Sequence, residues 1–267
     1  MAQNNGIAVR AGGEDELTAM VQSPGGGFLL VGSSNSDSSG DHSQSSQGLD
    51  DFWIVKADSS GNKLWDYRYG GTDEDLLIAA ANCTDGGYIL SGYSFSGISG
   101  DKTQDCWGNS DIWLLKIDSA VVKQWDVRYG ATKMDRSRSV IQTSDGGYFV
   151  GGYSNSDLEG DLSEPSRGLY DFWVLKLDAG GNKQWDRRYG GSEDDHCHLV
   201  MQRSNGNYVL VEHSMSDISG DKTQSCFGND DYWMLELENI VVLPIEINEL
   251  NAFPQSRGRG ARVEYAF

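Results

Sequence analysis

The chain has 267 residues and carries 34 Gly, 8 Trp and 12 Tyr, a composition that favours strands and turns over helices. Its net charge of −19 argues against nucleic acid, whose phosphates call for Lys and Arg, and against an anionic membrane surface. Nothing approaches the roughly 20 consecutive apolar residues of a membrane-spanning helix, so cations, basic partners or uncharged ligands are the classes left.

The chain opens on Met-Ala-Gln-Asn-Asn, with neither a charged n-region nor an apolar h-region. That start fits a cytosolic chain, or one whose signal peptide has been removed. The stretch Asn5–Gly12 resembles the last strand of the repeat described next, so residues 1–11 read as a closing strand. From residue 12 onward the sequence is periodic. Asp51-Phe52-Trp53, Asp111-Ile112-Trp113, Asp171-Phe172-Trp173 and Asp231-Tyr232-Trp233 recur every 60 residues, as do the Gly-Asp pairs at 40, 100, 160 and 220. Trp65, Trp125 and Trp185 keep the period, and so do the Arg-Tyr-Gly triplets starting at Arg68, Arg128 and Arg188. The repeats span 12–69, 70–129, 130–189 and 190–242, followed by a tail, 243–267.

Each unit reads as four short strands, a to d. In the third, 137–143 is apolar-rich strand a, and Ser-Asp-Gly-Gly at 144–147 is a hairpin turn. Strand b is 148–154, followed by a long polar b–c loop. Strand c, 171–178, is apolar on both faces, as expected of a strand between neighbours, and strand d is 183–189. On strand d, Asp186 and Arg188 share a face and are expected to pair. Such charges suit an outermost strand, where they discourage edge-to-edge association. Four four-stranded units define the expected fold: an all-β, four-bladed β-propeller, with the repeated Trp of strand c buried between blades. The last unit lacks the Gly-Asn-Lys-x-Trp strand d. Residues 1–11 or the stretch 241–250 can supply it, and an open or multi-chain ring is the further possibility.

Repeats 1 and 3 resemble each other, as do repeats 2 and 4, so the array reads as a duplicated pair. Cys106 and Cys226 share a repeat position, whereas Cys83 and Cys197 do not match. Four cysteines suit free, buried or half-buried thiols, the alternative being a pairing within repeats 2 and 4.

The b–c loops and d–a connections emerge on one face and hold 26 of the 40 acidic residues, with four basic ones: Lys102, Lys133, Arg167 and Lys222. A face of about −22 focuses a negative potential and concentrates cations. Asp37, Asp41, Asp101, Asp157, Asp161, Asp217 and Asp221 lie on these Gly-bent loops, where carboxylates and carbonyls suit calcium. The same Asp-Ser-Gly chemistry also makes turns that satisfy their own backbone. Trp107 and Phe227 are candidate sugar-stacking rings beside carboxylates, or simply loop plugs. His196-Cys197-His198, with Asp195 and Cys226 in reach, matches no common zinc spacing. No nucleophile elbow, phosphate loop or dinucleotide fingerprint occurs.

The segments Ser-Asp-Gly-Gly-Tyr, Ile-Ser-Gly-Asp-Lys-Thr and Gly-Asn-Lys-Gln-Trp-Asp-x-Arg-Tyr-Gly-Gly resemble the repeats of large secreted Bacteroidota proteins exported by the type IX secretion system. The resemblance covers 12–239, and Leu243-Pro-Ile-Glu246 is similar to the segment that often precedes the sorting domain of that class. The sorting domain itself is absent, which reads as a fragment, a processed form or a shortened paralogue. The resemblance implies a secreted or cell-surface, calcium-rich setting. The sequence thus points to a non-enzymatic binding or adhesion module for a glycan or surface protein. The alternatives are a carbohydrate-active enzyme or its appended module, using a carboxylate pair of the acidic face, and a structural subunit docking another chain of an extracellular assembly.

Overall fold

The computed structural model describes residue 9 and residues 11–238. The first repeat folds into β1 (Asp15–Gln22), β2 (Phe28–Ser34), β3 (Asp51–Ala57) and β4 (Lys63–Tyr69). The second gives β5 (Asp75–Asn82), β6 (Tyr88–Ser94), β7 (Asp111–Ile117) and β8 (Lys123–Tyr129). The third gives β9 (Asp135–Gln142), β10 (Tyr148–Ser154), β11 (Asp171–Leu177) and β12 (Lys183–Tyr189). The fourth has three described strands, β13 (Leu199–Gln202), β14 (Tyr208–Ser214) and β15 (Asp231–Leu237). Each repeat is its own antiparallel meander in sequence order, so strand d is outermost in the first three sheets. The segments proposed to complete the fourth sheet, 1–11 and 241–250, lie outside the described residues apart from Val9 and Ala11.

Tight turns join strands a and b. In the third sheet the Gly146 amide donates to Thr143 O, and Gly146 sits at φ +83°, a conformation that glycine adopts without strain. A second glycine governs the a–b pairing. Strand a bulges opposite Gly152, where a Cβ would collide with the Arg136 carbonyl. Gly32 and Gly92 meet the same carbonyl in their own sheets. In the fourth repeat the inner strand is four residues long. Strand a, expected from the position equivalent to Ser137, starts there only at Leu199; ahead of it Asp195 bridges Ser214, and the His196 and His198 amides donate to the His213 and Val211 carbonyls.

The sheets pack face to face in chain order, and three clusters of buried side chains fill the three spaces between them. Between the first and second sheets lie Phe52, Ile54, Leu77, Leu90, Trp113 and Leu115. Ile112, Leu114, Val140, Val150 and Trp173 fill the second space, and Phe149, Phe172, Val174, Val200 and Tyr208 the third. The back of one sheet meets the front of the next through aromatic pairs, Phe52–Trp113 at 4.6 Å and Phe172–Trp233 at 5.0 Å between ring centroids. Trp113 and Trp173 are buried between sheets as the sequence predicts; Trp53 is buried on the front of the first sheet, where no described sheet covers it, and Trp233 is half-buried. Each of the first three indoles is also held at its nitrogen: Trp53, Trp113 and Trp173 donate to Asp66, Asp126 and Asp186 of the adjoining strand d. Among the described residues, the fourth sheet packs on the third and makes no comparable packing with the first.

All four cysteines are free thiols, Cys83 and Cys197 buried and the other two half-buried. Burial in particular, and the nearby Asp111 carboxylate, push the Cys106 thiol up to about 11, so it stays protonated.

Truncating Trp173 removes a fully buried indole and a hydrogen-bond donor together. Trp173→Ala is expected to cost about 3–5 kcal/mol in urea-melt stability. A loss below about 1 kcal/mol would show that the indole is not part of a packed inter-sheet core.

Candidate functional site: the acidic loop face

Strand c opens on an aspartate because its carboxylate closes the loop behind it. Asp171 Oδ2 accepts from the Arg167 amide and the Ser166 hydroxyl, and receives Arg188 from strand d at 2.8 Å. Asp51 does the same with the Gln47 amide, Ser46 and Arg68 at 3.1 Å. Asp111 accepts from the Trp107 amide, with Arg128 at 3.6 Å. Asp171 and Arg188 are wholly buried, and Arg188 also donates to the Ser154 and Ser156 carbonyls. The other carboxylate oxygen lies against Gly70, Gly130 or Gly190 at the end of strand d, where any Cβ would collide with it. That contact explains the glycine of the Arg-Tyr-Gly triplets. Asp186 and Arg188 do not pair with each other as expected. Asp186 instead joins Lys183 at 2.8 Å and the Trp173 indole, and both residues are buried rather than displayed on an edge.

The strand-a aspartates close the d–a connections in the same way. Asp75 accepts from the Gly71 amide and Ser96, Asp135 from Ala131 and Ser156, and Asp195 from Gly191 and Ser216. Burial pushes Asp75 and Asp111 up to about 6, against the hydrogen bonds that favour their charged forms.

The b–c loops and d–a connections do interleave on one side. The Asp101 amide donates to Gly70 O, that of Asp161 to Gly130 O and that of Asp221 to Gly190 O. Their carboxylates accept from the amides of the same three glycines, which staples each loop to the sheet before it. Asp101 also accepts from Gln47, Asp161 takes Arg128 at 3.0 Å, and Asp221 takes Arg167 at 2.6 Å. Asp37, Asp157 and Asp217 are exposed; Asp157 caps the Leu158 and Ser166 amides, Asp217 that of Cys226. Asp41 lies within the first loop, its carbonyl accepting from Lys63. Among the described residues, no His, Cys, Asp and Glu side chains converge into a group that could hold a metal ion.

The sequence count overstates the face in one respect. Asp51, Asp75, Asp111, Asp135, Asp171 and Asp195 are buried, which leaves twenty of its acids half-buried or exposed. Two of its four basic residues, Lys102 and Lys222, are buried as well, with Lys102 donating to Gln104 O and Lys222 to Ser214. Lys133 and Arg167 remain. The solvent side is thus still about −18.

Trp107 lies flat over Arg128, 3.5 Å from its guanidinium carbon, and keeps 55% of its surface exposed. Phe227 is 97% exposed. The sequence sets His196 and His198 close together, but their meeting with His213 and Tyr153 is a feature that spacing does not reveal. His196 stacks on Tyr153 at 4.2 Å, with His213 at 5.2 Å and His198 at 6.4 Å. Burial above all, then the neighbouring His213, His198 and Arg138, lower His196 to about 4.

No protein-family model matches the chain. Over 174 residues it is 28% identical to the regulatory protein FlaEY of Caulobacter vibrioides, a stretch that covers 62% of this chain and 18% of that one. The chain therefore spans less than a fifth of that relative's length. Among solved structures it is similar to a chain of Kuenenia stuttgartiensis hydrazine synthase, at 11% identity and a TM-score of 0.42, over 90% of this chain and 66% of that chain. It is also similar to a Bacteroides caccae protein of unknown function, at 11% identity and a TM-score of 0.35, over 73% of this chain and 70% of that chain.

His196 is neutral in the folded state and takes a proton more readily when unfolded, so its contribution to stability is lost as pH falls from about 6.5 towards 4. Asp75 and Asp111 act oppositely, losing stability as pH rises from 3.8 to about 6. The difference between the wild type and His196→Phe cancels the latter. It should shift in favour of the variant by about 1–2 kcal/mol between pH 8 and pH 4, the full shift being reduced by solvent screening at the partly exposed ring. A difference independent of pH would show that His196 is not held neutral.

Proposed function

We propose that the chain is a non-catalytic binding module of propeller type, its sheets serving as blades and its acidic loop face as the docking surface for a basic partner. The observation that carries this reading is the charge on one side of the array: twenty accessible acids against Lys133 and Arg167. The turns at the other ends of the strands carry no such excess. A face of this kind steers cationic partners and makes their association depend on ionic strength. The repeat resemblance supports a secreted or cell-surface setting, with a surface protein as the partner.

Trp107 favours a second reading, a glycan. The Arg128 guanidinium fixes one side of the indole and leaves a rigid apolar ring facing solvent among carboxylates. Calcium on the Gly-Asp loops belongs to the same proposal, but Asp101, Asp161 and Asp221 already spend their carboxylates on backbone amides. A calcium ion there would have to share them.

Poly-lysine is the simplest probe of the acidic face. Changing Asp37, Asp157 and Asp217 together to Asn should leave melting nearly unchanged, weaken poly-lysine binding severalfold and flatten its salt dependence. Equal binding by wild type and variant would remove the face from the account. A glycan array run with and without calcium separates the other readings: retention identifies a sugar binder, and turnover identifies an enzyme. Calcium coordination would raise the melting temperature beyond sodium chloride at equal ionic strength.

A further inference from the structure

The three spaces between sheets are versions of one joint, and the described residues leave two halves of it uncovered. On the back of each sheet, strand c presents two apolar side chains to the next sheet. They are Phe52 and Ile54, then Ile112 and Leu114, then Phe172 and Val174, all 0% exposed. The fourth sheet has Tyr232 and Met234 at these positions, 95% and 70% exposed. The strand in front of them, β13, leaves Leu199 and Met201 on the same open side, 63% and 55% exposed.

The opposite half lies on the front of the first sheet. Leu77, Ser137 and Cys197 occupy one strand-a position and are 0% exposed, each covered by the sheet before it. Leu17 holds that position in the first sheet and is 64% exposed. Met20 is 58% exposed where Val140 and Val200 are each 4% exposed. The loop seam is open at the same end as Tyr232. Gln47 and Arg167 reach forward to Asp101 and Asp221 of the next loop, but Phe227, their equivalent, meets no such loop among the described residues and is 97% exposed.

Two further features are complementary. The fourth sheet lacks a described strand d, and a groove of about 430 Å³ runs along that edge of β15, between Glu236, Leu237 and Glu238 and the β12 residues Trp185, Arg187 and Tyr189. Val9, in turn, sits against Leu30 and Val55 on the front of the first sheet. Aligning Gly12-Gly13 with Gly70-Gly71 puts Val9 at the position of Tyr67 and Val127, which pack on the sheet that follows theirs.

We propose that a second copy of this chain covers both open faces. The back of the fourth sheet of one copy covers the front of the first sheet of the other. Continuity with the three internal joints carries the choice of occupant. The exposed residues at each end are the sequence equivalents of residues that already pack together inside the chain. The contact is heterologous, and a heterologous contact closes into a ring only when its rotation returns to the start. Two copies related by a two-fold axis close a ring of eight sheets, within the four to eight blades usual for propellers. The acidic faces of both copies then lie on one side of the ring. The proposal concerns assembly and does not depend on what the acidic face binds.

The test uses the whole chain and two double variants. Tyr232→Glu/Met234→Glu disables one half-joint and Leu17→Glu/Met20→Glu the other. All four residues are exposed within the single chain, so each variant should keep wild-type circular dichroism and tryptophan emission. Light scattering after size exclusion should give the wild type twice the chain mass of 29.2 kDa. Each variant alone should be a monomer, and an equimolar mixture should recover dimers, since one intact joint remains. A monomeric wild type, as follows if residues 239–267 cover the open face themselves, would overturn the proposal. Variants that stay dimeric, or a wild type that grows into open-ended oligomers, would overturn it equally.

Discussion

The structure depends on a buried carboxylate that opens strand c of the first three repeats. Its placement forces most of the recurring residues around it. The carboxylate closes the preceding loop through a backbone amide, so that loop ends in the same conformation in every repeat. Because the charge is taken out of water, it needs a buried cation, and strand d supplies Arg68, Arg128 or Arg188. The space beside it admits no Cβ, so strand d ends on glycine. One physical demand thus fixes an aspartate, an arginine and a glycine that lie far apart in sequence and recur every 60 residues.

The same reasoning divides the acidity of the chain into two populations. Six carboxylates of the loop face are internal parts that bind amides, hydroxyls and guanidinium groups. Asp101, Asp161 and Asp221 form an intermediate group, half tied to the neighbouring sheet and half presented to solvent. The exposed remainder, with Asp37, Asp157 and Asp217 among them, carries the field that a partner would feel. Net charge by itself does not separate these roles; burial does. Joints between sheets and loop staples between sheets lie on different sides of the same contact, so the array is held both by apolar packing and by its loops.

Much of the architecture is legible in the sequence, for a physical reason. A repeat that must bury both faces of strand c keeps Trp53, Trp113, Trp173 and Trp233 in phase, and tight turns need glycine at fixed places, so strands b and d of the third repeat fall on their predicted bounds. The ionic partners were less legible. Asp186 and Arg188 look like a pair at two-residue spacing, yet each is committed across the sheet, to Trp173 and to Asp171. A pairing across strands leaves no local spacing to read. An open ring is among the readings the sequence allows, but its effect on Phe227 is not legible there: Phe227 looks like a ligand platform in sequence, and its exposure follows from the absence of a neighbour on that side among the described residues.

The central claim, that these aspartates are buried structural charges held by strand-d arginines, is tested most directly by a double-mutant cycle on Asp171 and Arg188. Arg188→Met strands a buried carboxylate and should cost about 3–5 kcal/mol. Asp171→Asn keeps an acceptor for the Arg167 amide while removing the charge. It should therefore destabilise the wild type but stabilise the Arg188→Met chain, a reversal of sign that denaturant melts of the four proteins would display. If Asp171→Asn destabilises both backgrounds equally, the two residues are energetically independent and the account fails.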